Sequence, residues 1–211
     1  MNFKREHLTL YAVTDRHWLR GDTLAHQVEQ ALRGGATMIQ LREKELGEAE
    51  FLREALEIQA ICRRYRVPFL INDNVALARE IDADGVHVGQ SDMEAGNVRK
   101  LLGPDKIIGV TAKTVEQAMR AEAAGADYLG SGAVFGTGTK TDTSRLSHDV
   151  LQQICENVRI PVAAIGGITA ENVLKLRGRK IAGVAVVSGI FAAEDIEEAA
   201  RTMKERVLTI L

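Results

Sequence analysis

Two cations and an amide occupy alternate positions in Gln40-Leu41-Arg42-Glu43-Lys44. In an extended chain alternate side chains share a face, so Gln40, Arg42 and Lys44 project together. Arginine grips phosphate as a fork and lysine as a point charge. The set suits an anionic, hydrogen-bonding ligand about as well as it suits a solvated strand end paired with Glu43 or Glu45. Further along, Ile71-Asn72-Asp73-Asn74 and Gly89-Gln90-Ser91-Asp92 each carry an aspartate. Taken singly, each stretch reads as a helix N-cap, where Asn, Asp and Ser are favoured. Taken together, Asp73 and Asp92 are a carboxylate pair suited to Mg2+, which takes a few protein oxygens beside those of a bound phosphate. If the fold brings this pair to the cations, the result is a metal–diphosphate site.

Three glycine-bearing stretches could hold a second anion. They are the polar run Ala133–Thr143 (AVFGTGTKTDT), Ile165-Gly166-Gly167-Ile168-Thr169 and Val187-Ser188-Gly189. Glycine lets backbone approach a ligand closely, and helix N-termini offer free N–H groups. A tight turn explains Gly166-Gly167 equally well. Thr111 is a further hydroxyl at an apolar run's end and reads alone as a cap or turn residue. Familiar motifs are absent. Thr139 precedes Lys140 where a P-loop needs glycine, and Gly130, Gly132 and Gly136 miss the dinucleotide spacing. His7, His17, His26, His87 and His148 are scattered, with His87 inside an apolar run as a satisfied core group.

The elements that must position these residues repeat along the chain: a short β-branched run, a turn, then an amphipathic helix. The runs are Leu8–Val13, Met38–Leu41, Pro68–Ile71, Gly85–Val88, Ile107–Val110, Tyr128–Gly130, Val162–Ile165 and Val184–Val187. Helical periodicity covers Leu24–Arg33, Glu48–Tyr65, Val75–Glu80, Glu94–Leu102, Val115–Ala124, Asp149–Asn157, Glu171–Leu176 and Ala192–Leu208. Within Glu48–Tyr65 the stripe is Leu52, Ala55, Leu56 and Cys62, interrupted by Gln59. Alternating βα order implies a parallel sheet. Eight such units predict a single-domain (β/α)8 TIM barrel over residues 1–211, ahead of an open doubly wound sheet. All the candidate residues then fall at the carboxyl ends of strands, where barrel enzymes do their chemistry. AVFGTGTKTDT fills the longest connection, after the sixth strand.

Composition bounds the partners. With 27 basic and 29 acidic residues the net charge is −2, which excludes a broad nucleic-acid surface. No apolar stretch is long enough for a membrane span, and the N-terminus lacks a signal peptide's apolar run. Cys62 and Cys155 have no metal-ligand spacing and read as reduced packing residues of a cytoplasmic protein. Aliphatics on helices such as Glu48–Tyr65 leave room for a homo-oligomer.

QLREK, INDN, DGVHVGQSD, GTGTKTD, VAAIGGIT and VAVVSGIF occur in the order found in the thiamine-phosphate synthase family, which the chain resembles from LYAVTD to its last helix. The resemblance implies a transferase on a TIM barrel. It would join hydroxymethylpyrimidine diphosphate to a thiazole phosphate, or its carboxylate, releasing diphosphate. It also implies roles. Gln40, Arg42, Lys44, Asn72, Thr111 and Lys140 would hold the pyrimidine diphosphate, with Arg42, Lys44 and Lys140 catalytic. Asp73 and Asp92 would ligate Mg2+. Thr137, Thr139, Gly167, Val187 and Ser188 would hold the thiazole phosphate. The family usually has serine at Thr111 and proline at Gly136. Threonine keeps the hydroxyl, whereas glycine loosens the loop and is expected to raise Michaelis constants. SGIF also resembles the sister thiazole tautomerases, which share the thiazole-phosphate site and commonly lack the paired aspartates. A non-catalytic thiazole-phosphate-binding regulator is a third reading.

Overall fold

The computed structural model describes residues 3–90, 92–136 and 145–211. Its strands are β1 (Leu10–Val13), β2 (Met38–Leu41), β3 (Phe69–Asn72), β4 (Gly85–Val88), β5 (Ile107–Thr111), β6 (Tyr128–Gly132), β7 (Val162–Ile165) and β8 (Gly183–Val186). They pair in parallel and in sequence order, and β8 closes onto β1 through Leu10↔Val184 and its neighbours. The barrel expected from the βα alternation is therefore closed, and no open edge remains.

The helices are α1 (Leu24–Arg33), α2 (Glu48–Tyr65), α3 (Val75–Glu80), α4 (Ala95–Leu102), α5 (Val115–Ala123), α6 (His148–Asn157), α7 (Ser188–Phe191) and α8 (Ile196–Leu208). The strand pleat sorts the apolar residues into two cores. Ile39, Leu41, Phe69, Ile71, Leu129 and Val184 face the helices. Tyr11, Met38, Leu70, Ile107, Tyr128 and Ala185 fill the barrel itself. The low aromatic content thus leaves two tyrosines at the centre of an otherwise aliphatic interior.

Several expectations need correcting. Leu8 ends a 3-10 turn (Arg5–Leu8), so β1 starts at Leu10. Glu171–Leu176 is not a helix but a 3-10 turn at Val173–Leu176. Ala192–Leu208 does not run as one helix, because Asp195 accepts from Glu198 N at 2.9 Å and caps a new start. On α2 the buried face is Phe51, Ala55, Ile58, Gln59 and Cys62, while Leu56 is 46% exposed. Gln59 interrupts nothing: its amide donates to Ile81 O at 3.0 Å and Asp82 O at 3.3 Å, which satisfies it.

Both cysteines are free, and burial pushes the Cys155 thiol up to about 11 and the Cys62 thiol further. That suits inert packing residues. Among the described residues, no helix is long and apolar enough to cross a membrane.

Candidate active site

The carboxyl ends of the strands surround a cavity of about 520 Å3 among the described residues. Gln40, Arg42 and Lys44 all reach it, as their alternation requires. Their partners are not the neighbouring glutamates. Arg42 Nη1 donates to Asp15 Oδ2 at 3.1 Å, and Lys44 Nζ to Asp73 Oδ2 at 2.8 Å. Arg42 Nε is buried and has no hydrogen-bond partner among the described residues.

Glu43 shapes the segment instead of neutralising it. Its Oε1 accepts from the backbone N–H of Lys44 at 2.7 Å, Glu45 at 2.6 Å and Leu46 at 3.2 Å. Its Oε2 accepts from Arg16 Nε at 2.8 Å, and Arg16 also grips Glu54. Burial opposes ionisation here, but these donors outweigh it and hold the carboxyl below the usual range. A depressed carboxyl contributes stability above its unfolded pKa and loses it as pH falls through the folded value. Glu43→Gln should therefore cost about 1–3 kcal/mol at neutral pH. Denaturant titrations should show the gap to the wild type closing as pH drops below the ordinary carboxylate range. A gap independent of pH would refute this.

At the end of β3 the capping role falls to Asn74, whose Oδ1 accepts from Leu77 N at 2.9 Å. Asp73 is thereby released from the helix. It adopts φ +60, a left-handed conformation that costs about 1 kcal/mol and that Asp tolerates better than most residues. Its carboxylate turns into the cavity, where it accepts from Lys44 and from Asn72 Nδ2 at 2.6 Å and lies within hydrogen-bond reach of Asp92. Burial raises its pKa. Lys44 first, then Asp92 and Asn72, lower it by more, so the net shift is downward. Asp92 does not cap α4 either: its Oδ2 accepts from Gly89 N at 2.7 Å. Ser91, the other residue weighed as a cap there, lies outside the described residues.

Thr111 closes β5 and is no cap, because Thr114 caps α5. Its hydroxyl is 3.0 Å from His87 Nε2. His87, expected as a core group, is buried and also lines the cavity. Tyr11 and Lys113 line it too.

The opposite wall is the turn after β7. Gly167 sits at φ +67, and a Cβ there would fall 2.1 Å from Gly136 O, so only glycine fits. Val187 and Ser188, where α7 starts, complete that wall. Gly136 itself has nothing within 4 Å of its Cβ position, so a Cβ there would meet no clash. The expectations on Thr137, Thr139 and Lys140 lie outside the described residues, as does most of AVFGTGTKTDT.

One wall is thus cationic and carboxylate-bearing, and the other is glycine backbone at a strand–helix turn. A closed parallel barrel with such a cleft at its strand ends is an α/β-barrel enzyme of the phosphate-handling class. The model of the family described as thiamine monophosphate synthase matches residues 10–190. The chain belongs to that family, whose members form thiamine phosphate. A thiamine-phosphate synthase of Ruminiclostridium cellulolyticum is 48% identical over 197 residues, covering 93% of this chain and 94% of its own. One from Alkaliphilus oremlandii is also 48% identical, over 198 residues. The solved thiamine phosphate pyrophosphorylase of Pyrococcus furiosus superposes with a TM-score of 0.90 at 37% identity, covering 98% of both chains.

Proposed function

We infer that this chain joins hydroxymethylpyrimidine diphosphate to a thiazole phosphate, giving thiamine phosphate and diphosphate. The observation that carries the reading is the Asp73–Asp92 pair, set against Lys44 and beside Arg42. A tautomerase needs no carboxylate pair beside the cations, and a regulator needs no strained Asp73. Family membership and the synthase relatives support the same choice.

The residues fit Mg2+. Two adjacent carboxylates freed from capping supply hard oxygens, and the rest of the ion's shell would come from substrate and water. Asp73 and Asp92 would hold it, and when bound it would neutralise part of the diphosphate charge. This chain's own residues do the remainder. Arg42 and Lys44 face the diphosphate and stabilise the charge that builds as the bond from the pyrimidine methylene to oxygen breaks. That bond's electron pair leaves with diphosphate, and the thiazole nitrogen then donates its lone pair to the cationic methylene. The wall of Gly167, Val187 and Ser188 holds the thiazole phosphate so that its nitrogen points at the methylene. No general base is needed. Lys140 would join the cations, and Thr137 and Thr139 the thiazole phosphate, on the strength of the resemblance. The reduced cysteines suit a cytoplasmic enzyme.

The test mixes both substrates with Mg2+ and follows diphosphate release. Release that requires the thiazole phosphate supports the synthase. Tight thiazole-phosphate binding without release moves the reading to the tautomerase or the regulator.

A further inference from the structure

Beneath the cavity a chain of hydrogen bonds crosses the barrel from β2 to β5. Gln40 Nε2 donates to the Tyr11 hydroxyl. The Tyr11 and Tyr128 hydroxyls are 2.8 Å apart, and Tyr128 Oη is 3.0 Å from His87 Nδ1. His87 Nε2 then reaches Thr111 Oγ1 at 3.0 Å. The crossing needs Gly109, where a Cβ would fall 2.1 Å from Tyr128 Cζ and 2.5 Å from His87 Nδ1. Both tyrosines are at most 1% exposed, and Tyr128 does not line the cavity at all.

With the Gln40 amide donating to Tyr11, the proton count sets the direction of every other link. Tyr11 accepts from Gln40, so its own proton goes to Tyr128. The Tyr128 hydroxyl then donates to His87 Nδ1, which accepts. The ring proton sits on Nε2 and goes to Thr111 Oγ1. What remains for the cavity is an acceptor, Gln40 Oε1, and a donor, the Thr111 hydroxyl. Reversing a single link strands a buried proton without an acceptor, which is disfavoured. The links therefore reverse only together: turning the Gln40 amide to present a donor takes the Thr111 donor away.

We propose that Tyr128 is a positioning residue that couples, through Tyr11 and His87, an acceptor at Gln40 to a donor at Thr111. The coupled pair selects an aminopyrimidine diphosphate over its oxo counterpart. This rests on the synthase reading. The amino group donates to Gln40 Oε1 while Thr111 donates to a diphosphate oxygen. An oxo group faces Gln40 Oε1 lone pair to lone pair, and flipping the amide to receive it costs the hold on the diphosphate. Recognition of the base and grip on the leaving group are thus linked.

Tyr128→Phe removes only the hydroxyl and keeps the ring stacked near Phe3, at 5.6 Å between centroids. Two measurements test it. The first is kcat/KM for diphosphate release from the amino- and the oxo-pyrimidine diphosphate. The second is the 15N shifts of the His87 ring in the free protein, which report its tautomer. The wild type should prefer the amino substrate by about 100-fold or more, and Tyr128→Phe should cut that ratio about tenfold or more. His87 should change from the Nε2–H tautomer to a mixture. A ratio within about twofold of the wild type, or an unchanged tautomer, overturns the proposal. Should Tyr128→Phe not fold, Tyr11→Phe breaks the adjacent link and is read the same way. A wild type that releases no diphosphate from either compound refutes the synthase reading instead, and the tautomer still decides the wiring.

Discussion

Asp73→Asn combined with Asp92→Asn should lower Mg2+-dependent diphosphate release by about 1000-fold or more with the barrel intact. The reason is that neither carboxylate caps a helix, although each stands just before one. Asn74 caps α3, and α4 starts without a side-chain cap. Asp73 nevertheless occupies φ +60, and it is held ionised by Lys44 against the burial that disfavours its charge. Asparagine is a better probe than alanine, because it tolerates the left-handed conformation and keeps the bonds from Lys44 and Gly89 geometrically available. Each amide removes one negative charge and little volume. Lys44 loses its ion pair in the variant, but that pair is exposed enough to contribute little to stability. Full activity in the double variant, at the same Mg2+ requirement as the wild type, would remove the pair from the mechanism. A loss matched by a fall in melting temperature would make it structural.

The barrel was legible because short β-branched runs and helical periodicity alternate eight times and the closed sheet is nearly the one solution to that count. What periodicity missed were places where one polar side chain overrides it. Asp195 restarts a helix inside a stretch that reads as continuous, and Leu56 completes a sequence stripe while lying outside the buried arc. Within the site, the alternation of Gln40, Arg42 and Lys44 fixed their common face. Their partners did not show, because Asp15 is 27 positions from Arg42 and Asp73 is 29 from Lys44. The Tyr11–Tyr128 contact spans 117 positions. Two aromatic residues on inward strand positions hint at a shared interior, but only the barrel's register makes them meet. Asp73 marks the opposite limit. Asn and Asp side by side both read as caps, and the sequence does not say which one the helix takes.

Arg42→Met should lower kcat by about 100-fold or more, and Arg42→Lys should recover only part of that loss. The guanidinium is anchored on one side, with Nη1 on Asp15 and side-chain exposure of 19%. Its Nε is buried and unpaired among the described residues. A buried donor without an acceptor costs about 1–3 kcal/mol in the resting protein. Arg42 also lines the cavity, so its anchored guanidinium is fixed in advance beside the place where negative charge will accumulate on a diphosphate. Because the charge grows as the methylene–oxygen bond breaks, the interaction strengthens toward the transition state, and kcat should fall by more than KM rises. Lysine restores a charge but not the fork, and its ammonium would settle on Asp15 rather than span Asp15 and the substrate. Asp15→Asn separates anchoring from catalysis. It leaves the guanidinium in place but less constrained, so it should cost much less than Arg42→Met. Steady-state kcat and KM for the three variants decide the matter. If Arg42→Met raised KM alone, Arg42 would be binding the diphosphate equally well before and during the reaction. If Arg42→Lys matched the wild type in both constants, the buried Nε would have no part in the chemistry.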